Sequence, residues 1–166
     1  MDKTHLQRTL VLLKPDAIQR GVCGEIIHRF ERVGLDIVGM KMVWADKAFA
    51  EKHYFDVKDR YGQKILDNLT DYLVQGPIIA IVLEGVESVA LVRKMAGTTY
   101  PNDSAPGTIR GDFSHMSKEY ANTHERIVAN LIHASSKPSE AEYEINLWFD
   151  KKELHSYTRL DDEHTF

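Results

Sequence analysis

Leu10-Val11-Leu12-Leu13-Lys14-Pro15 sets how the chain is read. Four consecutive apolar residues stopped by a proline read as a short buried strand, because proline has no backbone N–H to continue a ladder. Beyond it, Ile26, Ile27, Phe30 and Val33 recur at helical spacing, with Glu25, Arg29 and Arg32 elsewhere on the wheel. An amphipathic helix is predicted there, closed by Gly34. Val38, Met40, Met42 and Trp44 then alternate with Ile37, Gly39, Lys41 and Val43, the period of a strand. The polar stretch 46–75 reads as a pair of helices broken by Gly76-Pro77. Ile78 to Leu83 is a second continuous apolar run and a second buried strand. Ser88 to Ala96 reads as a helix closed by Gly97, and a long loop with Pro101, Pro106 and Gly107 follows. Leu131-Ile132 is a short fourth strand. Ser139 with Glu142 predicts a capping box for a last helix, whose apolar face is Ala141, Ile145 and Trp148.

The order strand, helix, strand, helices, strand, helix, strand is the split βαβ pattern of ferredoxin-like α+β folds. It predicts a four-stranded antiparallel sheet with helices on one face. The length, 166 residues, fits a single domain over 1–166, with a charged tail from about residue 157 that ends in Phe166. Such folds host RNA binders, metal carriers and enzymes, so the side chains must decide among them. A formal net charge of −4 supplies no global attraction to nucleic acid or to anionic lipid. RNA binding would also need aromatic residues on exposed strand positions, and these strands are aliphatic. Cys23 is the only cysteine, which fits a reducing compartment, and no apolar run reaches membrane-spanning length. The expectation is a cytoplasmic protein with no membrane and no nucleic-acid partner.

Asn130-Leu131-Ile132-His133-Ala134-Ser135 places a histidine at a strand end, followed closely by a hydroxyl. Imidazole titrates near neutrality, so His133 is a candidate nucleophile or base. Lys14 ends the first strand, Arg93 lies near the end of its helix, and Arg110 sits between Gly107 and Gly111. Lysine at a strand end and arginine in a glycine-rich turn are groups suited to an anion, the glycines allowing a ligand to approach the backbone. Glu144 borders the Ala141-Ile145-Trp148 stripe, where it can turn inward to hold a hydroxyl or an imidazole.

Together these segments resemble the nucleoside diphosphate kinase family over nearly the whole chain. The resemblance rests on Leu13-Lys14-Pro15-Asp16, Gln19-Arg20-Gly21, Gly24-Glu25-Ile26-Ile27, His53-Tyr54 and Lys58-Asp59-Arg60 in the first half. In the second half it rests on Gly97, Thr99, Pro101, the run Pro106 to Phe113, Asn130 to Ser135, and Glu144-Ile145-Asn146-Leu147-Trp148-Phe149. The resemblance implies transfer of a γ-phosphoryl group from a nucleoside triphosphate to a nucleoside diphosphate, through a phosphohistidine on His133 with ping-pong kinetics. It implies that Glu144 holds one ring nitrogen, Ser135 assists, and Tyr54 lies close by. Lys14, Arg93, Thr99 and Arg110 are implied to hold phosphates, and Lys14 and Asn130 to contact the ribose. Mg²⁺ is implied as cofactor, bound mainly through the phosphates, with no metal site on the protein itself. Nucleoside di- and triphosphates are the implied partners, together with further copies of the chain in a hexamer, or alternatively a tetramer.

The chain also departs from the family pattern. Ala134 and Ser136 replace the usual glycine and aspartate, Val128-Ala129 stands where Gly-Arg is common, and Tyr100 replaces a typical asparagine. The segments 61–75 and 114–129 are longer than usual. The residue that stacks on the base is therefore left among Ile65 with Leu69 opposite, Tyr61 and Gly62.

Overall fold

The computed structural model describes residues 5–160 and 162–165. Its four strands are β1 (Leu6–Leu13), β2 (Asp36–Val43), β3 (Ile78–Val86) and β4 (Ile132–Ala134). They pair antiparallel in the order β2-β3-β1-β4. The helices are α1 (Pro15–Gln19), α2 (Cys23–Arg32), α3 (Lys47–His53), α4 (Val57–Tyr61), α5 (Gln63–Leu73), α6 (Ser88–Ala96), α7 (Ile109–Phe113), α8 (Lys118–Thr123), α9 (Pro138–Trp148) and α10 (Asp162–Thr165).

The sheet is covered on both faces, not on one. Val11, Leu13, Ile81 and Leu83 pack with Ile26, Phe30, Val92 and Ala96 from α2 and α6. Leu10, Leu12, Ala80 and Val82 point the other way and pack with Ala50, Leu73, Ile145 and Trp148 from α3, α5 and α9. The physical reason lies in β1 and β3. Leu10 to Leu13 are all 0 % exposed, and a strand with no polar alternation must be buried on both sides.

Local differences also have causes. The stretch 46–75 forms three helices, because Gly62 adopts φ +86° and splits the predicted second helix into α4 and α5. The fourth strand is Ile132–Ala134 and excludes Leu131, which has φ +68°. Helix α9 begins with Pro138 at its first turn after Lys137, so the predicted Ser139–Glu142 capping box does not form. Trp44 falls just beyond β2.

The register of β2 slips between Ile37 and Gly39, where the C-terminal segment crosses the strand. The His155 N–H donates to the Val38 carbonyl at 2.7 Å, and a Cβ on Gly39 would lie 2.8 Å from Leu154 Cδ2. The Tyr157 hydroxyl lies 3.1 Å from both the N–H and the carbonyl of Ile37, so the tail is tied to β2 at that point. Phe166 lies outside the described residues.

Candidate active site

Alternation along β4 turns Ile132 and Ala134 into the α2/α6 core and His133 to the opposite face, where α3 and α9 lie. The His133 side chain is 19 % exposed, whereas that of the neighbouring His53 has no exposure. His133 Nε2 lies 2.7 Å from Glu144 Oε1, and the Ser135 hydroxyl donates to Glu144 Oε2 at 2.6 Å. Ser135 Oγ also accepts the Leu10 N–H at 3.2 Å, so the hydroxyl is anchored to β1. Glu144 is 2 % exposed, and burial raises its pKa. It projects from α9 beside Ile145 and Trp148, as the helical spacing predicts.

Burial lowers the pKa of His133, and the nearby Lys14, Arg110 and Arg93 lower it further. The ring is therefore neutral near pH 7. An ionised Glu144 can only accept from it, which places the ring proton on Nε2 and leaves Nδ1 a lone pair. No described residue bonds Nδ1.

The phosphate candidates converge on the same strand. Lys14 Nζ donates to Asn130 Oδ1 at 2.8 Å, and the Asn130 amide donates to the Thr99 carbonyl at 2.9 Å. Lys14 is 6 % exposed, and its pKa falls to about 7, first through desolvation and then through Arg110. Arg93 Nη1 donates to the Ala134 carbonyl at 3.2 Å. Arg110 is mostly occupied by the protein itself. It donates to the carbonyls of Asn130 (3.2 Å), Gly97 (3.0 Å), Thr98 (2.9 Å) and Ile132 (2.6 Å). One Nη2 N–H remains for a ligand. Gly111 acts differently from the expectation: a Cβ there would collide with the Ala105 carbonyl, so the close approach is to the chain's own backbone, whereas Gly107 faces open space.

The turn into β4 is strained. Leu131 is buried and β-carbon-bearing, yet adopts φ +68°, a conformation that costs on the order of 1–3 kcal/mol. Two contacts hold it there: the Leu131 N–H donates to Asp16 Oδ2 at 2.9 Å, and its carbonyl accepts the Lys14 N–H at 2.8 Å. Asp16 thus fixes the approach to His133, a role absent from the sequence reading although Asp16 stands two residues after Lys14.

Tyr54 is buried, and its hydroxyl has no partner among the described residues. It reaches His133 only through His53, whose ring lies 4.7 Å from Tyr54 and 4.6 Å from His133. His53 is the main group that sequence reasoning missed. Its available signal was its place three residues after the core residue Ala50 on α3. Of the base-stacking candidates, Tyr61 is exposed and bound by Arg60 (Nη2 to Oη 3.0 Å), Ile65 is exposed, and Leu69 packs against the core.

Among the described residues, the only group of three or more histidine, cysteine or acidic side chains close enough to share an ion is His53, His133 and Glu144. Two imidazoles and one carboxylate do not suit Mg²⁺, which prefers hard oxygen ligands in octahedral geometry.

The family model described as nucleoside diphosphate kinase matches residues 7–154. A nucleoside diphosphate kinase of Pyrococcus horikoshii is 48 % identical over 96 % of this chain and 95 % of its own length. That of Thermococcus kodakarensis is 46 % identical over 98 % of this chain and 87 % of its own. Among solved structures, a transition-state mimic of the Borrelia burgdorferi enzyme with bound vanadate and ADP superposes with a TM-score of 0.93 and 41 % identity, covering 97 % of both chains. A Halobacterium salinarum enzyme in complex with CDP gives 0.84 and 36 % identity, over 98 % of this chain and 99 % of its own.

Proposed function

The chain belongs to the nucleoside diphosphate kinase family and transfers phosphoryl groups between nucleotides, and from that premise we propose that His133 carries the group. The observation that supports this most is the 2.7 Å contact between His133 Nε2 and Glu144. It commits the ring proton to one nitrogen and leaves the other as a nucleophile.

In the first half-reaction Nδ1 attacks the γ-phosphorus of the triphosphate. The N–P bond forms as the bond to the bridging oxygen breaks, and the diphosphate leaves with that electron pair. The ring becomes cationic, and Glu144 balances it through the Nε2 proton. A second diphosphate then takes the group by the reverse step at the same site. The transition state spreads charge over peripheral oxygens, so placement of cations carries most of the catalysis. Lys14, Arg93 and the remaining N–H of Arg110 are those cations. Asn130 and Lys14 meet the ribose hydroxyls, Thr99 meets phosphate, and Tyr54 packs behind His53, which lies against the nucleophile. A divalent cation such as Mg²⁺, carried in by the nucleotide, would supply further charge neutralisation beside Lys14, Arg93 and Arg110.

Self-association into a hexamer is part of the same proposal. Edge strand β2 and its end expose Met40 (54 %), Met42 (61 %) and Trp44 (68 %), an apolar edge suited to burial against a second copy. No described helix is long and apolar enough to cross a membrane. With a single cysteine, the cytoplasm is the proposed compartment.

The direct test incubates the protein with γ-labelled ATP. The wild type is expected to take up one acid-labile phosphoryl group per chain and release it to added diphosphate. His133→Ala is expected to take up none, and equal labelling of that variant would remove the mechanism.

A further inference from the structure

His53 has no part in the phosphoryl transfer described above, yet it touches the residues that perform it. It ends α3, and its side chain has no solvent exposure. Its ring stands perpendicular to that of His133, at 82° with centroids 4.6 Å apart. The Trp148 indole N–H donates to His53 Nδ1 at 3.3 Å. An indole nitrogen has no lone pair to offer, so Nδ1 must be the acceptor and the proton of a neutral His53 lies on Nε2. Burial holds the ring neutral, with His133 and Lys14 acting in the same direction and Glu144 against them.

The consequence falls on Glu144. His53 Nδ1 is 3.8 Å from Glu144 Oε1, the oxygen that also receives His133 Nε2. In the tautomer fixed by Trp148, Nδ1 turns a lone pair towards this region and offers the carboxylate no proton. In the other tautomer, or in the protonated ring, an N–H at Nδ1 would compete with His133 for Oε1. A His133 ring released from Glu144 can move its proton to Nδ1, and a protonated Nδ1 cannot attack phosphorus.

We infer that His53 is a positioning residue for the phosphoryl transfer. Locked by Trp148 in the tautomer without a proton on Nδ1, it leaves His133 as the sole imidazole donor to Glu144. Its perpendicular ring also walls the nucleophile into one orientation. The inference rests on the reading of His133 as nucleophile and adds the device that fixes its proton.

The two functions of the ring separate by substitution. His53→Phe keeps the wall and brings no N–H. His53→Asn loses the wall and brings amide donors beside Glu144. Trp148→Phe keeps His53 but releases its tautomer. Two quantities are measured in the full chain: the single-turnover rate of phosphorylation by ATP, and the ¹⁵N shifts of the His133 ring, which report its tautomer.

His53→Phe is expected to phosphorylate within about twofold of wild type, despite a lower Tm from the unpaired indole N–H. His53→Asn and Trp148→Phe are each expected to be slower by about tenfold or more, as for a misplaced reacting group. Both should show a mixture of His133 tautomers, with nucleotide affinity unchanged. A residue that only packs would give rates that follow Tm and a His133 tautomer that does not change, and that result would overturn the inference. Wild-type rates in both slow variants would overturn it as well. The underlying mechanism is tested separately by His133→Ala. If that variant is unlabelled while the His53 and Trp148 variants behave as wild type, only the positioning role is lost.

Discussion

The two faces of the sheet arise from the same strands and are packed to different ends. On the α2/α6 side the hydrophobic cluster has Phe30, Ile26, Leu83 and Val92 among its members, and the buried polar side chains of β1 and α6 there, Thr9 and Ser88, are uncharged hydroxyls. On the α3/α5/α9 side the cluster contains Leu12, Leu73 and Trp148, but His53, Tyr54 and Glu144 are buried beside them. Buried polar groups cost stability unless partnered, and on this side the Tyr54 hydroxyl and His53 Nε2 have no partner among the described residues. The contrast implies a division: one face supplies stability, and the other uses part of it to hold a neutral imidazole against a buried carboxylate.

The largest test of this division is truncation on the apolar face. Phe30 is fully buried, and Phe30→Ala is expected to cost about 3–5 kcal/mol of unfolding free energy. Denaturant unfolding would measure that loss. Well below the midpoint, the folded fraction should still take up phosphoryl from ATP at the wild-type rate. A folded variant that loses its phosphorylation rate would show that the two faces are not separable. The second test is made on the other face. Glu144→Gln preserves shape and can still accept from His133 Nε2, but it removes the charge that balances the cationic ring. The phosphorylation rate is expected to fall about a hundredfold, the scale of losing one preorganised electrostatic contact. Stability should change little or rise, since a buried carboxylate is removed. An unchanged rate would mean that Glu144 only orients the ring.

The difference between the faces also explains what was legible in the sequence. The α2 stripe Ile26-Phe30 and the stripe Ala141-Ile145-Trp148 gave the helices, and the latter pointed to an inward Glu144. Burial of both faces was written in the unbroken runs Leu10–Leu13 and Ile78–Leu83, where alternation is absent, but the split βαβ pattern drew attention to one side. The nine site residues carried by the family resemblance all lie around β4, although they come from distant segments. What the sequence could not show was how they are used. That Arg110 donates to four carbonyls, that Asp16 restrains the strained Leu131, and that His53 lies against His133 are facts of long-range contact. No local spacing encodes them.

Acid should separate the faces next. Burial lowers the pKa of both His53 and His133 to about 3, against an ordinary value of 6.5. Above 6.5 both rings are neutral folded and unfolded, and pH has no effect through them. Below 6.5 the unfolded chain takes up a proton on each ring while the folded chain does not, so stability falls. The slope is about 1.4 kcal/mol per pH unit for each ring, and the window extends from 6.5 down to about 3. Glu144, whose pKa is raised, acts in the opposite sense, because the folded state protonates it first as pH falls. Thermal unfolding from pH 7 to 4 should therefore show a declining Tm, and His53→Phe should flatten the decline by about one ring's share. An equal slope in that variant would mean that His53 is already protonated in the folded protein.

The smallest effect concerns Lys14, at the end of the strand that serves both faces. Desolvation and the neighbouring Arg110 bring its pKa down to about 7, so in the free protein it is losing its charge near neutral pH. A bound phosphate favours the ammonium and raises that pKa. Between pH 7.5 and 9 the nucleotide phosphates are already ionised, so the change in affinity there reports the protein. Each binding event must then supply Lys14 with a proton, and the dissociation constant should weaken by up to about tenfold per pH unit. Calorimetry in two buffers of different ionisation enthalpy should detect up to one proton taken up per nucleotide. Lys14→Met should bind more weakly and lose both the pH dependence and the proton uptake. A flat affinity with no proton uptake in the wild type would mean that Lys14 stays charged in the free protein, held by Asn130 at 2.8 Å despite its burial. The cost of a buried charge would then have been met before the ligand arrives.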